Sequence, residues 1–244
     1  CAVMSLLCNG GPIGAAERIG AFCTLHGLNK SEKRRLHIGF SSGRFEFMAK
    51  PYGIVPRDTV EEVSWKVIRT QIFREASEIF LRLINGEVIS SNDISETILT
   101  ADLFKTEDDW KSAQHEVMKR DNLESVPDKI KIEQRYKFEQ IKTIPQNWNR
   151  NLLNLVIGSH DPNLQTQVNK WRPVQVFNLS ITQPKIIEET HQRMSQNYHE
   201  DGGPWKRNMM PRTVMIFINE EEGLTDSEKS LSAMEEANQA LGSY

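Results

Sequence analysis

The chain has 244 residues, 38% hydrophobic and 26% charged, with a formal net charge of −3. That balance excludes a disordered polyelectrolyte and a uniformly basic nucleic-acid binder, and the length suffices to bury a core unaided. The longest apolar runs, such as Val214 to Ile218, are far too short to span a bilayer as a helix.

Ala2 to Cys8 reads as a buried strand or the start of a helix, broken by Asn9-Gly-Gly-Pro-Ile-Gly14. A helix follows over Ala15–Leu25, with Gly27 at its C-cap. Leu36, Ile38 and Phe40 alternate, as do Phe45 and Phe47, and Ser41-Ser42-Gly43 lies between them, predicting a hairpin. From Thr59 the apolar period becomes helical, and Val60, Ile68, Ile72, Ile79, Phe80 and Leu83 share a broad face. The spacing predicts a long amphipathic core helix near residues 59–85.

Asn92 or Asp93 would cap a short helix through Phe104, and Thr106 with Asp109 would open another ending near Arg120. Between Lys129 and Glu139 apolar and charged residues alternate, as in a strand with one solvated face. Further strands are expected at Leu152–Ile157, Val174–Ile181 and Thr213–Ile218, and a helix from Pro184 to about Tyr198. Thr225 and Glu228 form a capping box for a last helix that Gly242 ends. The order predicts a single α+β domain over 1–244 with mixed helices and a mainly antiparallel sheet. A subdivision near 121–128 would separate a mostly helical part with a hairpin, 1–120, from a strand-rich part with a C-terminal helix, 128–244.

Cys1, Cys8 and Cys23 form no disulfide framework. Together with the lack of a signal-peptide pattern, they read as reduced thiols of a cytoplasmic or otherwise intracellular protein. Cys1 could combine a thiolate with its own α-amine, as in N-terminal-nucleophile hydrolases, but no local motif supplies oxyanion donors. Cys8, Cys23, His26 and His37 are soft ligands without the two tight pairs of a zinc site. Ser159-His160-Asp161 are chain neighbours and cannot form a triad with one another. No catalytic residue, metal or cofactor is assigned from these patterns.

Gly11-Pro12-Ile13-Gly14-Ala15-Ala16 resembles the dinucleotide-binding turn of flavin and nicotinamide enzymes, where glycines let backbone amides approach pyrophosphate. Asn9 stands where the first glycine of that fingerprint belongs. The next strand runs into Ser41, Ser42 and Arg44 rather than an acidic residue. The resemblance implies a nucleotide- or flavin-binding enzyme using the Asn9–Gly14 loop.

Two other features point to a different class. Trp65, Trp110, Trp171 and Trp205 each precede a basic residue, a composition suited to single-stranded RNA. Lys30, Lys33, Arg34, Arg35, Arg44 and Lys50 would form a phosphate-tracking surface, joined by Arg172, Trp205, Lys206 and Arg207. Residues 1–57 hold eight basic against three acidic residues, whereas 208–244 hold two against seven. Such asymmetry suits head-to-tail contacts between copies. The sequence therefore favours a non-enzymatic, self-associating, RNA-contacting protein of nucleocapsid, capsid or matrix-like type, with a homo-oligomer as its working form.

Overall fold

The computed structural model describes residues 2–29, 31, 33–43, 47, 49–214 and 216–242. The expected Cys1 nucleophile, Lys30, Arg44 and Phe45 lie outside them.

The main sheet runs in the order β1 (Ala2–Ser5), β2 (Leu36–Ser41), β5 (Leu153–Gly158) and β6 (Val174–Val176). All three pairings are parallel. The expected antiparallel main sheet is thus overturned; the antiparallel pairing of named strands is the separate two-stranded ladder of β3 (Thr97–Leu99) with β4 (Ile130–Ile132). Both edges of β2 are taken, by β1 and β5, and the second arm of the expected hairpin, at Phe45, lies outside the described residues.

The misreading has a physical cause. Leu36, Ile38 and Phe40 share one sheet face with Leu155, Ile157, Val174 and Val176, and Phe40, Leu155, Ile157, Val174 and Val176 are buried there. The other face carries exposed His37 and half-buried Asn154 and Gln175. A parallel sheet is ordinarily covered on both faces and reads as continuous apolar runs. Here the face with His37, Asn154 and Gln175 also holds Gly39 and buried Val156, so β2 alternates as an antiparallel strand would, whereas Leu155-Val156-Ile157 of β5 is a continuous apolar run.

Helix α1 (Gly11–His26) joins β1 to β2 and packs on α3 (Trp65–Ile84). Helix α5 (Pro162–Val168) joins β5 to β6 and also touches α3. Phe80 of α3 meets Phe40 of β2 with ring centroids 5.3 Å apart, and Phe73 lies 6.4 Å from the same ring. Each such fully buried side chain is worth about 1.5–3 kcal/mol of apolar transfer.

The long helix is broken once. Asp58 caps α2 (Thr59–Val63) by accepting from the Glu61 N–H at 2.7 Å, and Ser64 separates it from α3. From Gln71 onward α3 is buried nearly all round, polar residues included. Glu75 explains how. Its two oxygens accept the Arg135 and Tyr136 N–H groups at 2.9 and 2.8 Å, pinning an irregular segment against the helix. Burial pushes the Glu75 carboxyl above the ordinary range. Glu78 likewise accepts from the Ser95 N–H.

Residues 92–104 are not the expected helix but two short 3₁₀ turns flanking β3. Helix α4 (Glu107–Asp121) keeps its expected Thr106 cap, which accepts from the Asp109 N–H at 3.1 Å. Of the alternating segment 129–139 only Ile130–Ile132 is strand, and of Val174–Ile181 only Val174–Val176. Helix α6 (Pro184–Asn197) packs on α5, and the Thr225–Glu228 capping box opens α7 (Asp226–Gly242). The expected strand at Thr213–Ile218 is absent as an element. A single parallel bridge joins Arg212 to Asn178, just beyond β6. Among the described residues, no helix is long and apolar enough to cross a membrane.

Candidate functional site

In an open parallel sheet, ligands bind outside the carboxyl ends of the strands. At that edge β2 ends in Ser41, and Ser42-Gly43 follow with Gly43 at φ 70°. β5 ends in Gly158, where an added Cβ would stand 3.3 Å from the Ser41 Cβ. The two strand ends therefore approach closely, and Ser159-His160-Asp161 leave β5 toward α5. Asp161 is fixed twice. One oxygen accepts from the Asn163 N–H at 2.9 Å as the α5 cap, and the other accepts from Arg74 Nη2 at 2.8 Å.

Helix α3 forms the facing wall. Lys66, Arg69, Thr70, Phe73 and Arg74 recur at helical spacing, so one turn after another presents a polar side chain to the same groove. Two chambers result, of about 360 and 600 Å³, sharing Lys66, Arg69, Thr70 and Asp161. The smaller one lies at the strand ends, with Ser42, Ser159 and His160. Its carboxylate, Asp161, is paired with Arg74, and Lys66 and Arg69 also line it. The larger chamber adds an apolar wall of Trp65, Leu103 and Phe104, with Glu62, Asp102, Lys105 and Asp109 also lining it.

The glycine loop occupies the carboxyl end of β1 but lines neither chamber. Asn9, Gly10 and Gly11 take φ values of 49°, 86° and 63° in succession. Tyr52 donates to Asn9 Oδ1 at 2.7 Å, Arg18 donates to the Asn9 carbonyl at 2.8 Å, and the Tyr136 ring lies 3.1 Å from where a Gly11 Cβ would be. Those contacts account for the glycines as a tight turn packed under an aromatic ring.

Of the basic residues singled out in the sequence, Lys30 and Arg44 lie outside the described residues. Lys33, Arg34 and Arg35 precede β2, whereas Lys50 follows it at the opposite end of the strand. Arg35 and Arg172 do come together, lining a cavity at the amino end of the sheet. Lys206 is exposed, and Arg207 is paired with Glu188. Trp110 is buried, while Trp65, Trp148, Trp171 and Trp205 are half-buried and pack against the core. Trp205 also donates from Nε1 to His191 Nδ1 at 2.9 Å and meets Tyr198 edge-on. Cys8 and Cys23 are buried and not disulfide-bonded, and burial pushes Cys23 up to about 11. Among the described residues, no three His, Cys, Asp or Glu side chains come together as a metal site would need.

No protein-family model, curated protein or solved structure matches the chain. The site is therefore read from its own chemistry.

Proposed function

We propose that this domain binds a small phosphorylated ligand of nucleotide-like shape in the groove between α3 and the carboxyl ends of β2 and β5. One observation carries the reading: a chamber at the strand ends lined by basic and hydroxyl side chains shares Lys66, Arg69, Thr70 and Asp161 with a larger chamber that has an aromatic wall. Lys66 and Arg69 would hold the phosphate with Ser42, Thr70 and Ser159, because charge-assisted hydrogen bonds suit a compact oxyanion. Trp65 and Phe104 would pack the ring. No catalytic step is assigned to the groove.

Calorimetric titration with AMP and ADP tests it. Arg69→Ala and Lys66→Ala should each weaken binding about tenfold or more, the equivalent of losing a charge-assisted bond of about 1.5–3 kcal/mol. Affinity unchanged in both variants, or no binding by the wild type, would reject the groove.

A second reading, self-association, is favoured by a separate observation. Val214, Ile216 and Ile218 are 71, 75 and 68% exposed. They follow Pro211 and Thr213, which bond to Asn178 beside β6. An exposed apolar stretch of this kind recruits a further strand, and a second copy is the proposed occupant, with the basic and acidic chain ends supplying complementarity. Light scattering with and without single-stranded RNA should give a concentration-dependent mass that Ile216→Lys reduces to the monomer. A wild type that stays monomeric throughout would end this second reading.

A further inference from the structure

The amino end of the main sheet holds a second cavity, of about 330 Å³, whose lining includes Arg35, Arg150 and Arg172. They arrive from three places in the chain: Arg35 just before β2, Arg150 in the 3₁₀ turn before β5, and Arg172 just before β6. Parallel pairing sets these three strand starts side by side. Three guanidinium groups therefore converge on one space although they lie far apart in sequence.

Among the described residues none of the three makes a salt bridge. Arg35 donates to Asn154 Oδ1 at 3.4 Å. Arg150 donates to the Ile84 carbonyl at 2.7 Å and the Gln146 carbonyl at 3.0 Å, and stacks over Trp148. Arg172 is only 9% exposed, and its bond from Nη1 to Asn85 Oδ1 is long at 3.4 Å. Its Nε is shut off from solvent with no acceptor. Asn85 is held in turn by its own bond to the Trp171 carbonyl, 2.8 Å. Burial, and then the neighbouring Arg150 charge, push Arg172 down to about 10. The carboxylate of the lining, Asp201, has a side chain 77% exposed beside His199, so it stands at the rim.

A buried cation left without a counter-charge costs several kcal/mol. A group serving only the fold would be matched or replaced by an apolar side chain, whereas a binding site holds such strain until its ligand arrives. We propose that Arg35, Arg150 and Arg172 form an anion site for a phosphate-type oxyanion carried by a small molecule. Asn151, Gln175 and the Tyr198 hydroxyl line the same cavity and are available as further partners. The site is independent of the groove at the carboxyl edge.

The test uses the full chain carrying Lys66→Ala and Arg69→Ala, so that the groove cannot contribute. In that background, inorganic pyrophosphate should raise the melting temperature above that in sodium chloride of equal ionic strength. Adding Arg35→Ala should weaken pyrophosphate binding at least tenfold. Arg172→Met should abolish it while melting, without ligand, at or above its parent, because the uncompensated charge is gone. If Arg172→Met does not fold, exposed Arg35 still decides. No specific pyrophosphate effect, or an effect undiminished by Arg35→Ala, would overturn the proposal. Binding of a single-stranded oligonucleotide but not of pyrophosphate would overturn it equally.

Discussion

Replacing Glu61 by alanine should lower the unfolding free energy by about 3–5 kcal/mol, the usual cost of breaking a buried ion pair from one side. Glu61 is 2% exposed. Its Oε1 accepts from Arg57 Nε at 2.8 Å and Nη2 at 2.6 Å, and its Oε2 accepts from Arg135 Nη2 and the Arg57 N–H, each at 2.8 Å. Arg57 reaches on to the Glu133 and Gln134 carbonyls, at 2.5 and 3.0 Å. One carboxylate thus ties α2 to the segment following β4. Without it the Arg135 guanidinium, whose side chain is 8% exposed, stays buried with its direct ion-pair partner gone. Against a typical total of about 5–15 kcal/mol, that is a large share. Urea unfolding of Glu61→Ala checks it, and a loss below about 1 kcal/mol would show that Arg135 finds another partner or reaches water.

Phe80→Ala should cost about 3–5 kcal/mol by a different route, lost transfer energy plus a cavity. Phe80 is fully buried and its ring meets that of Phe40 at a tilt of 55°. This contact joins the helix layer to the sheet. Double substitution with Phe40→Ala should reveal a coupling of about 0.5–1.5 kcal/mol, the worth of a tilted aromatic pair beyond its buried area. Strict additivity would mean that the two rings report separate packing sites.

How far the sequence was legible depended on whether the signal was local. Helix α3 declared itself through Ile68, Ile72, Ile79 and Leu83, and α7 through Thr225 and Glu228, because periodicity and capping act within a few residues. Sheet topology did not, since β2 alternates for a reason set by a distant surface: His37 shares its face with Asn154 and Gln175. The carboxylates of Glu61, Glu75 and Glu78 look in sequence like the solvated side of an amphipathic helix. Their long-range partners, Ser95, Arg135 and Tyr136, stand outside the named strands and helices and far from these carboxylates in sequence. The groove residues Lys66, Arg69 and Arg74 were hidden similarly. On a helix, charges spaced by three, four or five positions read as a water-facing stripe until a second wall is known. The grouping of Arg35 with Arg172 was half visible as composition, but the position that completes it, Arg150, depends on parallel register.

The central ladder sets Leu36 opposite Leu153, and everything from the groove wall to the β3–β4 ladder lies between them in the chain. During synthesis the β1–α1–β2 unit must therefore wait for β5 to leave the ribosome before its open edge can be paired. At about 5–20 residues per second that interval lasts many seconds. Closing so long a loop also slows folding from the denatured state. Over that interval the nascent amino-terminal unit carries an unpaired strand edge, the kind of surface that other chains can pair with.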